Sequence, residues 1–133
     1  MTQEEKELFL RDLCARLPYG VKYQDRIDKE VLTLTLGIIH HYERFIPYLR
    51  PMSSMTLEEE CEFCRLFECD SVNAMYGYIN WVTGGSCDYY DFDIEFSKLA
   101  KIMDWLNTHH FDYRGLIEKG LALEAPEGMY KID

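Results

Sequence analysis

Residues 13–36 have the sequence LCARLPYGVKYQDRIDKEVLTLTL, in which a helical pattern gives way to an extended one. Pro18 ends the helix, because the residue before a proline avoids the α region. Residues 21–24 alternate in polarity, and residues 31–36 are rich in residues that favour strands, with one apolar face formed by Leu32, Leu34 and Leu36. The stretch predicts a helix followed by a hairpin or a meander, and therefore an α+β fold.

Two reciprocal caps mark the starts of helices. Thr2 and Glu5 have the Thr-x-x-Glu spacing in which each side chain accepts a hydrogen bond from a backbone amide, and Thr56 and Glu59 repeat it. The first cap predicts a helix to about residue 17, and the second predicts one to about residue 67. The predicted apolar faces are Leu10, Leu13, Cys14 and Leu17 in the first helix, and Leu57, Cys61, Cys64 and Phe67 in the second.

A third main helix is predicted to begin at Asp91 or Asp93 and to end near His110. We expect a further short helix over residues 112–119 and a closing hairpin over residues 121–132. The buried stripe of the third helix is predicted to contain Leu99, Ile102, Met103 and Leu106.

Two segments between these helices have other patterns. Residues 45–55 contain two prolines, which remove amide donors, so we predict a connector there. Residues 72–92 are rich in aromatic side chains and are consistent with a strand or an irregular helix; of the two we favour two strands around a turn at residues 83–86. The complete expectation is one α+β domain over residues 1–133, with three main helices, a small antiparallel sheet and a C-terminal helix plus β-hairpin.

The net charge of −10 is concentrated in residues 56–96, which hold ten acidic side chains against Arg65 alone. The negative electrostatic potential of this segment repels phosphate backbones and anionic lipid, so we expect no direct nucleic-acid or membrane binding. No stretch is long and apolar enough to span a bilayer, and no secretory signal is evident. Five cysteines without an export signal indicate a reducing compartment, so we predict a cytoplasmic protein.

Three segments resemble a family of short, uncharacterised proteins of gut anaerobic bacteria and their prophage-like or mobile elements. The segments are LCARLPYGVK at residues 13–22, PYLRPMSSMT at residues 47–56, and WLNTHHFDYRGLIEKGLALEAPEGMY at residues 105–130. Together they cover about a third of the chain. The resemblance implies a genomic setting for the chain; it implies no activity and no catalytic residue.

The stretch from Glu58 to Glu95 combines aromatic side chains with negative charge, a composition typical of a protein-binding surface. We call it the acidic aromatic surface. Aromatic residues buried in the core with acids alternating outward would give the same pattern. We predict that the surface binds a protein partner, for which a basic protein is the complement. The predicted contact residues are Tyr76, Tyr78, Trp81, Tyr89, Tyr90 and Asp91.

Residues 109–115, HHFDYRG, bring imidazole, carboxylate, phenol and guanidinium together, and we name them the histidine junction. His110, Asp112 and Arg114 are its candidate binding residues. The alternative is architectural, since His favours a helix C-terminus, Asp112 can cap the next helix and Arg114 can pair with an acid. The pair at residues 40–41 could add ligands, but a terminal histidine pair is more often exposed.

Cysteines at positions 61, 64, 69 and 87 could form a zinc site, because thiolates two residues apart can chelate zinc. Cys61 and Cys64 also fit the apolar stripe of a helix, where cysteine is an ordinary core residue. We therefore predict no metal and no cofactor. The leading hypothesis is a non-enzymatic interaction or accessory protein using the acidic aromatic surface. The rival is a small metal-binding protein or enzyme built on His109, His110, Asp112 and Arg114, or on the cysteines.

Overall fold

The computed structural model of the chain describes residues 1–82 and 96–130. Within these ranges it contains five α-helices and a four-stranded mixed sheet, which confirms the predicted α+β class. The chain divides into two compact units: Met1–Pro51 with Asn107–Asp133 form the first unit, and Met52–Leu106 form the second. The expectation of a single domain over residues 1–133 stays a prediction. None of the helices in the described ranges combines the length and the apolar character that crossing a bilayer requires.

The first helix, α1, spans Gln3–Arg16 and begins as predicted. The Thr2 hydroxyl accepts a hydrogen bond from the Glu5 amide at 3.1 Å, and the Glu5 carboxylate accepts one from the Thr2 amide at 3.0 Å. The predicted apolar face is wrong in part, because Cys14 is exposed. The helix is rotated so that its buried residues are Phe9, Asp12, Leu13 and Arg16.

The sheet of the first unit has the order β2-β1-β3-β4, in which β1 is Lys22–Asp25, β2 is Val31–Thr33, β3 is Phe45–Leu49 and β4 is Leu123–Glu124. Strand β1 pairs antiparallel with both β2 and β3, which confirms the hairpin. Strand β4 pairs parallel with β3. The sheet and α1 enclose a core of Phe9, Leu13, Val21, Tyr23, Leu34, Leu49, Leu116, Leu121 and Ala122.

The predicted strand over residues 31–36 is too long. The Leu34 amide donates to the Val21 carbonyl at 2.9 Å, and the chain then turns into a short helix, α2, over Leu36–Ile39. Leu34 is buried, whereas Leu32 and Leu36 are exposed. The three leucines therefore do not share one buried face. Leu36 lies beyond the end of the extended path, and Leu32 belongs to the edge strand β2, whose three residues are all exposed.

Residues 45–49 form β3 and not the predicted connector. Pro47 lies opposite Tyr23 of β1, and on the other side β4 pairs only with Tyr48 and Leu49. A proline can occupy a strand where no ladder bond requires its missing amide. The two-residue length of β4 explains how an internal strand tolerates Pro47.

In the second unit, α3 spans Leu57–Leu66 with the predicted cap from Thr56 and Glu59. Its buried side chain is Phe63, whose ring lies 4.6 Å from that of Phe67 and 5.2 Å from that of Trp105. Leu57 and Cys61, which were predicted to be on the apolar face, are exposed. The buried stripe is displaced because the aromatic rings, with more apolar area, occupy the core.

Residues 72–82 form a helix, α4, spanning Val72–Val82, so the predicted strand in this segment is wrong. The Ser71 hydroxyl accepts a hydrogen bond from the Ala74 amide at 3.1 Å, which caps the helix start. Met75 and Ile79, four residues apart, are buried. Aromatic residues suggested a strand, but this helical spacing decides the structure. The predicted turn at 83–86 and the second strand lie outside the described residues.

The third main helix is confirmed as α5, spanning Phe96–Thr108. Ile102 and Leu106 are buried as predicted, and Met103 is half-buried. The candidate caps Asp91 and Asp93 lie outside the described residues.

The C-terminal segment differs from the predicted helix plus hairpin. Residues 112–120 follow a series of turns, and Gly115 and Gly120 have φ angles of +71° and +72°. A left-handed residue in the middle of the segment prevents a regular helix. Strand β4 pairs with β3, while Met129 and Tyr130 lie in a turn, so no hairpin forms in the described residues.

Candidate functional site

The histidine junction extends β3 of the first unit. The Arg50 amide donates to the His110 carbonyl at 2.8 Å, and the Asp112 amide donates to the Arg50 carbonyl at 2.8 Å. These bonds form a parallel bridge between Arg50 and Phe111, whose ring lies 4.2 Å below the guanidinium of Arg50. The junction is therefore fixed by backbone pairing, and its side chains are held against the end of β3.

A buried charge network connects the junction to α1. Asp12 and Arg16 are both fully buried, and the Arg16 Nε donates to Asp12 Oδ2 at 2.7 Å. Arg114 Nη1 donates to Asp12 Oδ1 at 2.9 Å, so two arginines share one carboxylate. Arg16 Nη2 also donates to the Phe111 carbonyl at 2.8 Å. Buried charges need such partners, because a carboxylate or guanidinium without them loses its hydration.

Asp112 organises the turns that follow it. Its two carboxylate oxygens accept hydrogen bonds from the Leu116 amide at 2.9 Å and from the Ile117 amide at 3.0 Å. This is the capping chemistry that the sequence predicted, although it stabilises turns and not a helix. All four carboxylate oxygens of Asp12 and Asp112 thus accept a hydrogen bond from the protein. Both carboxylates therefore have a structural role, in the charge network with α1 and in the turns after Asp112.

His110 is packed against Tyr130, with ring centroids 3.8 Å apart and an interplanar angle of 21°. Its φ angle of +61° lies in the left-handed region. Burial, together with the positive charge of Arg16, lowers the pKa of His110 to about 4, so the ring is neutral at pH 7. Nδ1 of His110 and Nη1 of Arg16 are buried and have no hydrogen-bond partner within the described ranges.

The hydroxyl of Tyr130 connects two strands. It accepts a hydrogen bond from the Lys22 amide at 2.8 Å and donates to the Tyr48 carbonyl at 2.8 Å. Burial raises the pKa of Tyr130 to about 12, so the phenol stays protonated. Tyr130 and His110 together close one side of the junction, and their contacts are those of a packed interior.

The predicted acidic aromatic surface falls on α3 and α4 of the second unit where it is described. Tyr76 and Tyr78 are half-buried on α4, and the Tyr76 hydroxyl donates to Glu60 Oε1 at 3.4 Å. Burial, followed by the negative charge of Glu60, raises the pKa of Tyr76. Lys98 lies 5.1 Å above the ring of Tyr78. The backbone of Trp81 belongs to α4, but its side chain and all of Tyr89, Tyr90 and Asp91 lie outside the described residues.

The acidic residues of α3 are partly ordered by these rings. Trp105 Nε1 donates to Glu62 Oε1 at 3.0 Å, and Tyr76 holds Glu60 in the same way. Leu57 is 73% exposed and Leu66 is 53% exposed. An open depression on α3 is lined by Leu57, Glu58, Cys61, Glu62 and Arg65. Leu57 and Cys61 therefore share this depression with two carboxylates and one guanidinium, whereas Leu66 lies on the opposite side of the helix.

The remaining sequence candidates do not form a metal centre in the described residues. Cys61 is exposed, Cys64 and Cys69 are half-buried, and Cys87 lies outside the described ranges. In residues 1–82 and 96–130, no group of three or more His, Cys, Asp or Glu side chains is placed to hold a metal ion. The histidines at positions 40 and 41 follow α2, are exposed, and line an open depression with residues 42–45.

Several residues that contact the histidine junction were not identified from the sequence. Asp12 and Arg16 are spaced four apart on α1, a pattern that also occurs on exposed helix faces. The sequence signal was the spacing 9, 12, 13 and 16, which places both charged residues beside Phe9 and Leu13. Tyr130 had no local signal at all, because its partners Lys22 and Tyr48 are distant in the chain.

Comparisons with protein-family models, with curated proteins and with solved structures found no match to the chain. The geometry of its own residues is therefore the basis for the functional proposal.

Proposed function

We propose that the chain is a non-enzymatic interaction protein that binds a basic partner protein through the acidic aromatic surface on α3 and α4. The observation that carries the proposal is the outward face of α3, where exposed Leu57 and Cys61 line one depression together with Glu58, Glu62 and Arg65. Residues 58–70 hold six acidic side chains against Arg65 alone. An amphipathic helix or strand carrying lysine or arginine beside apolar anchors has the matching chemistry.

The charges define how such a partner would bind. Carboxylates at the rim steer a basic protein during encounter and discriminate against acidic proteins, while exposed Leu57 supplies apolar area that binding would bury. Glu60 and Glu62 are held by Tyr76 and Trp105, so less side-chain entropy is lost when they pair with a cation. Tyr76 and Tyr78 are half-buried, and their participation stays a prediction, as does that of Tyr89, Tyr90 and Asp91.

The proposal includes a cellular setting. The resemblance to proteins of gut anaerobes and their prophage-like elements supports an accessory role in a phage or mobile element. Four cysteines within the described ranges are free thiols, which supports a cytoplasmic location.

The test uses two pairs of matched variants. Leu57→Ser and Glu58→Lys change the α3 face, whereas Ile27→Ser and Glu127→Lys change exposed positions of the first unit; Leu57 and Ile27 are both 73% exposed. Each full-length chain is immobilised and incubated with lysate of the native host, and captured proteins are quantified by mass spectrometry. We expect a basic protein that is lost with the α3 variants, retained with the controls and released by added salt. Equal capture by all four variants, or capture of no basic protein, would contradict the proposal.

The rival hypothesis of an enzyme or metal-binding protein gains no support from the described residues. The carboxylates of Asp12 and Asp112 are occupied by arginine and by backbone amides. The predicted binding role of His110, Asp112 and Arg114 stays a prediction. Alanine at each position distinguishes the two cases: a ligand site would lose binding while the melting temperature is kept, and an architectural cluster would lose melting temperature alone.

A further inference from the structure

The C-terminus of α3 has the geometry of a Schellman motif. Phe67 caps the helix, Glu68 follows with a φ angle of +55°, and the Cys69 amide donates to the Cys64 carbonyl at 3.0 Å. Cys69 is the second residue after the cap Phe67, and Cys64 is the third residue from the end of the helix. A hydrogen bond between these two positions defines the motif. In most such motifs the side chains at these two positions make an apolar contact. Here both positions are cysteine.

The two cysteines are close enough to be bonded. With a 3.0 Å hydrogen bond between their backbones, standard bond lengths limit the distance between their Cα atoms to less than about 7 Å. That is the range in which a disulfide can form without moving the backbone. Both side chains are half-buried, and each sulfur lies 3.9 Å from a backbone carbonyl, Cys64 from that of Ser71 and Cys69 from that of Phe67.

We propose that Cys64 and Cys69 are a reversible dithiol–disulfide pair, oxidised by a small-molecule disulfide of the glutathione type. This inference is independent of the proposed function. Cys64, once deprotonated, attacks one sulfur of oxidised glutathione, the S–S bond breaks, and one glutathione leaves and takes up the proton. Cys69 then loses its proton and attacks the Cys64 sulfur, and the second glutathione leaves with that proton. Two electrons pass from the protein dithiol to the glutathione disulfide.

The surroundings of Cys69 assign the order of these steps. Burial, followed by the neighbouring Cys64 thiol, raises the pKa of Cys69 to about 11. A thiol with this pKa is largely protonated at neutral pH, so Cys69 is the resolving residue and not the first nucleophile. The bond would tie the last turn of α3 to the segment that leads into α4.

The main experiment compares two cysteine pairs in the full chain. One variant carries Cys14→Ser, Cys61→Ser and Cys87→Ser, which leaves Cys64 and Cys69. The matched control carries Cys14→Ser, Cys69→Ser and Cys87→Ser, which leaves Cys61 and Cys64 on consecutive turns of α3. Cys14 and Cys61 are exposed, so serine at these positions leaves the core unchanged. Both proteins are equilibrated in buffers of oxidised and reduced glutathione, trapped with iodoacetamide and weighed intact.

For Cys64 and Cys69 we expect a species that resists alkylation and is about 2 Da lighter than the dithiol, reversed by dithiothreitol. We expect its equilibrium constant to exceed that of the control pair at least about tenfold in the folded protein, and this difference to vanish in guanidinium. Two alkylated thiols, stable glutathione adducts without an internal bond, or equal oxidation of both pairs in the folded protein would each overturn the proposal.

A second measurement covers the case in which a serine variant fails to fold. Trypsin cuts the unmodified chain after Arg65, which separates Cys64 from Cys69. After oxidation, the proposal requires a cross-linked peptide pair whose fragmentation assigns the bond to these two residues. A bond from either residue to Cys61 or Cys87, in place of this one, would overturn it.

Discussion

The largest loss of folding stability that we predict is for a substitution of Asp12. It is fully buried, and its two oxygens accept bonds from Arg16 at 2.7 Å and from Arg114 at 2.9 Å. Asp12→Asn keeps the shape of the side chain and removes its charge. Arg114 is 18% exposed and can turn toward water, but Arg16 is fully buried and would keep an uncompensated charge.

Removing one partner of a buried ion pair costs about 3–5 kcal/mol, because the remaining charge has lost both its hydration and its partner. The whole free energy of unfolding of a domain is about 5–15 kcal/mol. We therefore expect Asp12→Asn to lower the melting temperature by roughly 10–20 °C. Urea unfolding followed by circular dichroism measures the free-energy change directly.

Two further variants test whether the loss of stability comes from the buried charges. Glu43→Gln removes the exposed ion pair of Lys6 and Glu43, whose atoms are 3.6 Å apart, and should cost about 0–1 kcal/mol. Asp12→Leu combined with Arg16→Met removes both buried charges and should restore much of the stability, since an apolar pair of similar volume avoids the desolvation cost. The Phe111 carbonyl still accepts the Tyr113 amide in that variant. If Asp12→Asn costs no more than Glu43→Gln, the buried network does not stabilise the fold.

Three other predictions concern the histidine junction. The pKa of His110 is lowered from 6.5 to about 4, so on acidification the unfolded chain binds its proton first and the free energy of unfolding falls from pH 6.5 to pH 4. His110→Asn, which tolerates the left-handed backbone, should remove about 1–2 kcal/mol of that pH dependence in urea titrations. Tyr130→Phe should cost about 1–3 kcal/mol in thermal unfolding, because the half-buried Lys22 amide loses its acceptor, while Tyr42→Phe, which keeps the ring beside Phe9, serves as a control. Asp112→Ala should cost about 1–2 kcal/mol and speed amide exchange at Leu116 and Ile117, and unchanged exchange there would contradict its capping role.

Local signals explain which elements could be predicted from the sequence. The caps at Thr2 and Thr56 involve residues three apart, so α1 and α3 were visible without knowledge of the fold. Strand β3 was hidden because Pro47 argues against a strand unless its neighbours are known. For α4 the sequence was consistent with a strand or an irregular helix. The strand was favoured because aromatic residues favour strands and because the cap from Ser71 lacks the glutamate of the other two caps.

The histidine junction shows the same limit at a candidate site. The capping role of Asp112 is local and was predicted, but the helix expected after it does not form because Gly115 has a φ angle of +71°. The pairing of Asp12 with Arg114 joins residues 102 positions apart. No spacing rule identifies such a pair, since either charge alone is equally consistent with an exposed position.

Charged side chains are arranged differently in the two units, and the proposed function assigns recognition to the second unit alone. In the first unit, each carboxylate oxygen of Asp12 and Asp112 accepts a hydrogen bond from within the protein. These two carboxylates are therefore less accessible to a binding partner. In the second unit, Glu58 and Leu57 are exposed on α3. Substitutions at Asp12 should therefore change unfolding and leave partner capture intact below the melting temperature, whereas Leu57→Ser should do the reverse. Loss of capture by a folded Asp12 variant would mean that recognition depends on the first unit and that the assignment of binding to α3 is wrong.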